Sequence, residues 1–161
     1  MPRPFTSAPS QRDADAIVAL PKYIPRMPRV RLINRDLRLK LRRIYDSAGN
    51  QLPGLVVDAH APPPGTHRGE TPRVSLTWRG VSIRCIDWEV RHEFADGSVV
   101  EGWHEHLWDD RHERNVGCPF DPPGISCDLE SVFICACQHW NITIMSRQDQ
   151  HLRLVEGTDD N

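Results

Sequence analysis

The dipeptide Asp96-Gly97 constrains the fold of this chain more than any other feature, because it lies between two long runs rich in β-branched and aromatic residues. The run before it is VSIRCIDWEVRHEF at 81–94, and the run after it is VVEGWHEHLW at 99–108. Asp-Gly readily adopts the positive backbone angles of a two-residue hairpin turn. The sequence therefore predicts an antiparallel hairpin in which Ala95 pairs with Ser98.

The register of this hairpin divides its side chains between two faces, since alternate residues of a strand point to opposite sides of the sheet. The predicted core face bears the tryptophans and holds Ile86, Trp88, Val90, His92 and Phe94 opposite Leu107, Glu105, Trp103, Glu101 and Val99. On the opposite face, Glu89 is predicted to pair with His104 and Asp87 with His106. This register puts His92 on the core face, away from His104 and His106, at the periphery of the sheet.

One amphipathic helix is predicted to cover the Trp-bearing face. Its apolar residues recur at helical spacing and form one stripe, made of Leu129, Val132, Phe133, Ala136, Cys137 and Trp140. Either Ser126 or Asp128 can cap its first turn. Nearer the N-terminus, leucines alternate with cations over 37–42, DSAGN at 46–50 is typical of a turn, and LVVDAHA at 55–61 is β-rich. We predict that two strands pair there.

We predict a single α+β domain. A length of 161 residues with 39% hydrophobic and 26% charged residues is typical of a globular chain with one core. The expected fold is a mainly antiparallel sheet of about four to six strands, with the principal helix at 128–140 packed on the Trp-bearing face. Residues 1–28 are predicted to be a Pro- and Arg-rich extended arm, 29–155 the domain with a Pro-rich surface connection at 61–72, and 156–161 an acidic tail.

The chain lacks both a run of about 18 apolar residues and the apolar segment of a signal peptide, so we expect a cytoplasmic protein that does not enter a membrane.

Charge is distributed unevenly along the chain. Residues 1–45 contain 11 of the 20 cations and 3 of the 22 acidic residues, while the remaining 116 residues contain 9 cations and 19 acidic residues. Such a basic segment can neutralise phosphates or pair with acidic surfaces, of the same chain or of a partner. The candidate phosphate- or partner-binding residues are Arg91 from the hairpin and Arg38, Lys40, Arg42 and Arg43 from the basic segment.

The triplet His104-Glu105-His106 is the strongest candidate for chemistry, because residues two apart in a strand project side by side. With Asp87 and Glu89 opposite them, the two imidazoles have three interpretations. They can act as general acid and base, with the carboxylates fixing their tautomers. Two histidines and one carboxylate, here Asp87, can instead hold Zn²⁺ or another divalent metal ion. The third interpretation is a polar sheet face with cross-strand ion pairs and no chemistry.

Three segments follow one another along the chain: a paired strand at 82–94, the element Gly102–His106 (GWHEH) and the helical segment Asp128–Ile142 (DLESVFICACQHWNI). Their order resembles that of the TumE-like toxin family of bacterial toxin-antitoxin operons. The resemblance covers residues 74–142. It implies a small α+β protein that acts on RNA or nucleotides, with His104 and His106 central and with a cognate antitoxin as partner.

The leading hypothesis is therefore a toxin-like enzyme that acts on RNA or nucleotides, without a cofactor, through His104 and His106 as acid and base. Asp87 and Glu89 would orient the imidazoles, and Arg91 with the basic segment would hold phosphate. Two alternatives remain open. One is a non-catalytic module whose basic N-terminal half binds an acidic protein or a nucleic acid, and the other is a metal-dependent hydrolase that uses the same histidine pair.

Overall fold

The computed structural model describes residues 8–63, 65, 71–109, 116–121 and 128–146, which form two β-sheets and two α-helices. The elements are α1 (Gln11–Ala19), β1 (Lys22–Ile24), β2 (Arg31–Ile33), β3 (Asp36–Leu41), β4 (Tyr45–Asp46), β5 (Leu55–Ala61), β6 (Arg73–Trp78), β7 (Val81–Glu93), β8 (Val99–Leu107), β9 (Val116–Pro119), α2 (Leu129–His139) and β10 (Ile142–Ile144). The predicted α+β class is confirmed. The tail predicted at 156–161 and half of the connection predicted at 61–72, namely residues 64 and 66–70, lie outside the described residues. Within the described ranges, no helix is both long enough and apolar enough to cross a membrane.

Seven strands form the principal sheet, in the order β2-β3-β5-β6-β7-β8-β9, and every neighbouring pair is antiparallel. The predicted pairing of the leucine-bearing strand with 55–61 is confirmed, since Leu39 of β3 lies opposite Ala59 of β5. The sheet exceeds the expected number of strands because residues 116–119, predicted to be loop, pair with β8 as β9. A second sheet of three strands has the order β10-β1-β4.

Helix α2 packs on one face of the principal sheet, and the core lies between them. Every residue of the predicted apolar stripe is buried, and burial of each large apolar side chain contributes about 1.5–3 kcal/mol. Asp128 caps the helix by accepting a hydrogen bond from Ser131 N at 2.9 Å. Trp103 packs against this core as predicted, whereas its cross-strand partner Trp88 is 37% exposed.

The described part of the predicted N-terminal arm belongs to the domain instead of extending from it. The side chain of Ser10 caps α1, and Ala14 in this helix is fully buried. Lys22 of β1 donates from Nζ to two carbonyl oxygens near the end of α1, at 2.8 and 2.9 Å, which satisfies otherwise unpaired acceptors of the helix. β1 itself lies between β4 and β10. Composition indicated an extended arm, but these local contacts fold it onto the core.

The turn between β7 and β8 has three residues instead of the predicted two. Phe94 N donates to Ser98 O at 2.9 Å, and Gly97 N donates to Phe94 O at 2.9 Å. Gly97 adopts a φ of +81°, as the last residue of a three-residue hairpin loop commonly does. The predicted pair of Ala95 with Ser98 is therefore wrong, and the pairs next to the turn move by one residue.

A β-bulge between Glu89 and His92 shifts the register a second time. Opposite Glu89, Gly102 has a φ of +83°, a left-handed conformation that is common at bulges and that favours glycine. One extra residue reverses the alternation of side chains, so His92 and Phe94 lie on the polar face instead of the predicted core face. The bulge thereby brings a third histidine to the predicted pair.

Candidate metal site

The polar face of the sheet brings together all four residues predicted to carry chemistry. Asp87 pairs with His104 and Cys85 pairs with His106, so the predicted pairs of Glu89 with His104 and of Asp87 with His106 are wrong. Asp87 nevertheless reaches both imidazoles, because its Oδ1 lies 2.9 Å from His104 Nε2 and 3.3 Å from His106 Nε2. The turn and the bulge each shift the strand register by one residue, and two such shifts restore the predicted alternation of side chains. The predicted face of these four residues is therefore correct, although their cross-strand partners are not.

His104 is fully buried within this group. Its Nδ1 donates a hydrogen bond to the carbonyl oxygen of Gly102 at 3.0 Å, so in the neutral imidazole the lone pair is on Nε2. Carbonyls of a regular strand point toward the neighbouring strands. The left-handed backbone of Gly102 allows its carbonyl to face a side chain of the same strand instead.

His92 is the site residue that the sequence interpretation missed. Its ring stacks on that of His104, with centroids 4.8 Å apart and an interplanar angle of 20°. Its Nδ1 donates to Glu89 Oε2 at 2.8 Å, so in the neutral imidazole the lone pair is on Nε2. This Nε2 atom is buried and has no hydrogen-bond partner among the described residues. In the sequence, Gly102 was the residue that could have indicated the position of His92, because a glycine inside a strand pattern often marks a bulge and a bulge changes the face on which later side chains lie.

Ring nitrogens of His92, His104 and His106 converge. One ligand nitrogen of each lies within 4.8 Å of the others, and the Nε2 atoms of His104 and His106 are 3.1 Å apart. Asp87 Oδ1 faces both of these Nε2 atoms, at 2.9 Å from His104 and 3.3 Å from His106. Lone pairs and a carboxylate repel one another unless a proton or a cation lies between them. The arrangement therefore favours a positively charged occupant.

The carboxyl group of Asp87 and the thiol of Cys85 are affected differently by this face. Burial by itself raises the pKa of Asp87, but the hydrogen bond and charge of His106, together with Arg73, lower it below its ordinary value. Burial raises the pKa of Cys85, whose Sγ accepts hydrogen bonds from Arg73 Nε at 3.0 Å and from Ser75 Oγ at 3.4 Å. Asp87 is thus an ionised carboxylate, whereas Cys85 is a neutral thiol.

Phe94 closes part of this group. It is 3% exposed, and its ring centroid lies 5.9 Å from that of His104 and 5.6 Å from that of His106. It packs over Gly117 of β9, where any Cβ would overlap the Phe94 ring. The group is most accessible at Glu89, whose side chain is 44% exposed. A small molecule can therefore approach from the Glu89 side.

The residues predicted to bind phosphate do not line this group. Arg91, Arg42 and Arg43 are exposed, and Arg38 and Lys40 lie on β3, which β5 and β6 separate from β7. The cation next to the group is one that the sequence did not single out. Arg73 Nε lies 3.6 Å from Asp87 Oδ2.

Glu105, the middle residue of the triplet, points to the core face and connects the site to both helices. Its Oε1 accepts a hydrogen bond from Trp140 Nε1 at 2.7 Å, and its Oε2 accepts one from His139 Nε2 at 2.8 Å. Arg84 Nε lies 3.8 Å from Glu105 Oε1, and Arg84 Nη2 pairs with Asp15 of α1. The hydrogen bond to Glu105 raises the pKa of His139. These contacts therefore hold β8, which carries His104 and His106, from its other face.

Comparisons with known protein families, with curated proteins and with solved structures give no match for this chain. The resemblance to the TumE-like toxins therefore stays a prediction that rests on the GWHEH element and the segment at α2. The geometry of the residues themselves is what bears on the chemistry of the site.

Proposed function

We propose that the protein is a metal-dependent hydrolase that holds a divalent transition-metal ion, such as Zn²⁺, between His92, His104, His106 and Asp87. Three imidazoles and a carboxylate are a donor set that such ions prefer. With these four donors in place, a water would take a fifth position on the ion, and Glu89 at the accessible edge is available to accept a proton from it. Compared with the ligands predicted from sequence, His92 is added.

The orientation of the lone pairs is the observation that carries this proposal. Hydrogen bonds from Nδ1 of His92 and of His104, to Glu89 and to Gly102, leave Nε2 of each imidazole able to coordinate. A carboxylate or carbonyl on the outer nitrogen is typical of histidine ligands, because it fixes the tautomer and raises the basicity of the ligand. The buried Nε2 of His92, which has no hydrogen-bond partner among the described residues, would gain one from a bound cation.

The spacing of the donor atoms also fits an ion. Neighbouring ligands of a four- or five-coordinate ion, each at about 2.1 Å from it, are about 3.0–3.6 Å apart. The Nε2 atoms of His104 and His106 are 3.1 Å apart, and Asp87 Oδ1 lies 2.9 and 3.3 Å from them. His92 completes the set by a small rotation, since the three histidine nitrogens already lie within 4.8 Å of one another.

The acid-base hypothesis receives less support from the same geometry. A general acid and a general base that act on one bond need the substrate between them. His104 and His106 are in direct contact at 3.1 Å, and His104 is fully buried, so no substrate atom fits between the two imidazoles. Acid-base action on RNA remains an untested hypothesis.

Metal content tests the proposal. Wild-type protein loaded with ZnCl₂ is expected to hold about one ion per chain by mass spectrometry, and His104→Gln and His106→Gln are expected to hold none. His60→Gln is the matched control, because His60 lies on the same sheet face but on β5. The proposal is contradicted if titration of the wild type with Zn²⁺, Mn²⁺, Co²⁺ and Ni²⁺ shows no binding, or if His104→Gln binds as the wild type does.

Activity separates the metal hypothesis from the acid-base hypothesis. Because Arg73 places a cation beside the site, bis(p-nitrophenyl) phosphate is a suitable probe. We expect its hydrolysis to stop on chelation and to return with the ion, and Glu89→Gln to lower kcat about 100-fold at saturating metal. RNA cleavage that persists with chelator and disappears in both histidine variants would instead favour acid-base chemistry.

A further inference from the structure

A row of side chains crosses the polar face of the sheet and leads to the proposed metal site. The cross-strand register aligns Arg38 of β3 with His60 of β5, and His60 with Arg73 of β6. The row continues to Asp87 of β7, whose Oδ2 lies 3.6 Å from Arg73 Nε, and then to His104 of β8. Neighbouring strands are about 4.8 Å apart, so the two arginines are about 10 Å apart and the whole row is about 19 Å long.

The two arginines of this row are incompletely neutralised. Arg38 forms no ion pair with a described residue, and its Nε atom is buried without a hydrogen-bond partner in that part of the chain. Arg73 uses Nε to contact Cys85 and Asp87, while its side chain remains 40% exposed. Lys40 differs, because Asp58 pairs with it at 3.1 Å. A guanidinium held at Nε can still offer its Nη groups to a phosphate in a forked contact.

We propose that Arg38, His60 and Arg73, the cation track, bind the backbone of a single-stranded nucleic acid and direct one of its phosphodiesters to the metal site. The part of this proposal in which a phosphodiester reaches the metal site rests on the proposed function, whereas binding of the nucleic acid to the cation track does not. A compact anion such as inorganic phosphate can contact only one of two arginines that are about 10 Å apart. An extended strand carries a phosphate at every nucleotide and can contact both.

His60 favours a nucleic acid over an acidic peptide as the ligand. Its half-buried imidazole lies between the two arginines in the row. Proteins that bind single strands commonly combine cations that follow the backbone with aromatic rings on which bases stack. A peptide carboxylate can accept a hydrogen bond from this ring, but only a nucleic acid also supplies bases that stack on its face.

Fluorescence anisotropy with a labelled single strand of about 12 nucleotides and mixed sequence tests the cation track. Arg38→Gln and Arg73→Gln are each expected to weaken binding about 5–10-fold and to reduce the slope of log K against log salt by about 0.7. Arg79→Gln is the control, because Arg79 lies over the Trp78 ring, 4.7 Å from its centroid, outside the track. Equal affinity of all four proteins, or equal weakening by Arg79→Gln, would overturn the inference.

Competition and metal content separate this inference from the proposed function. An unlabelled strand should displace the probe, whereas polyglutamate of equal charge concentration should not, and displacement by polyglutamate would overturn the assignment to nucleic acid. If both arginine variants keep the metal and bind the strand as the wild type does, the cation track is wrong and the metal site stands. If the wild type holds no metal but binds the strand through Arg38 and Arg73, the cation track stands and the metal proposal is wrong.

Discussion

Asp87 and His104 are cross-strand partners, and Oδ1 of the first lies 2.9 Å from Nε2 of the second. This contact requires one register of β7 against β8, because a slip by one residue would move one of the two side chains to the other face. The three-residue turn and the bulge opposite Gly102 together produce that register. The candidate site therefore depends on two local irregularities of an otherwise regular hairpin.

Glu89→Gln is expected to weaken Zn²⁺ binding about 10-fold, because Glu89 Oε2 accepts the Nδ1 proton of His92 at 2.8 Å and makes this imidazole a stronger ligand. Glutamine retains an acceptor but loses the charge. Calorimetric titration measures the change. Glu93→Gln, on an exposed residue of the same strand, is the control, and equal affinities of the two variants would exclude this role for Glu89.

Gly102→Ala is expected to lower the free energy of unfolding by about 1–2 kcal/mol, because a Cβ disfavours the left-handed φ of +83°. It should also weaken metal binding, since relaxation of the backbone moves the Gly102 carbonyl away from His104. Gly80→Ala is the matched control, with a φ of +84° and no atom near its Cβ. Urea unfolding should show similar losses for both variants. Wild-type metal affinity in Gly102→Ala would show that this carbonyl does not orient His104.

Gly117→Ala is expected to destabilise the protein by about 2–3 kcal/mol, since the added Cβ overlaps the backbone carbonyl of Glu105 and the ring of Phe94. In a Phe94→Leu background the same substitution should cost less, because part of the overlap is removed. Chemical denaturation of the single and double variants measures this coupling. Strictly additive losses would mean that the glycine does not serve to accommodate the ring.

Glu105→Gln is expected to cost about 2–3 kcal/mol of stability, because a buried carboxylate loses charge-assisted hydrogen bonds from Trp140 at 2.7 Å and from His139 at 2.8 Å. Glu130→Gln, on the exposed side of α2, should stay within about 0.5 kcal/mol of the wild type. Both values come from urea unfolding at neutral pH. A small effect of Glu105→Gln would show that the buried pair with Arg84 and His139 does not fix β8 to the helices.

The stabilising effect of His139 is expected to fall as pH rises. The hydrogen bond to Glu105 raises the pKa of His139 above 6.5, against desolvation and the charge of Arg84. The folded chain therefore binds this proton more tightly than the unfolded chain, so the contribution is complete below pH 6.5 and is lost as pH rises through the raised pKa. Urea unfolding of the wild type and His139→Gln at several pH values should show a stability difference that shrinks toward alkaline pH. A constant difference would contradict the coupling.

Several elements follow from residue patterns alone. The apolar stripe of α2 and its cap at Asp128 are local features, so helical periodicity located them correctly. The two β-rich runs around Asp96-Gly97 likewise form the longest hairpin of the sheet. Short strands such as β9 and β10 could not be predicted in this way. β9 has four residues and pairs with the preceding strand β8, while β10 has three residues and pairs with the distant β1, so neither is long enough for its own residue pattern to define it.

The sequence by itself determined the fold class, the helix face that meets the core, and a polar sheet face on which Asp87, His104 and His106 meet. The tertiary structure alone decided that His92 joins them and that Arg38, His60 and Arg73 form one row with the site. The alternation of side chains along a strand shows which residues share a face, but the register with the neighbouring strand decides which side chains of the two strands meet. A turn with one more residue and a bulge at Gly102 each change the register by one, and His92 fits either face of a sheet. Turn length, bulge geometry and long-range strand order are therefore what placed the third histidine and the arginines beside the predicted pair.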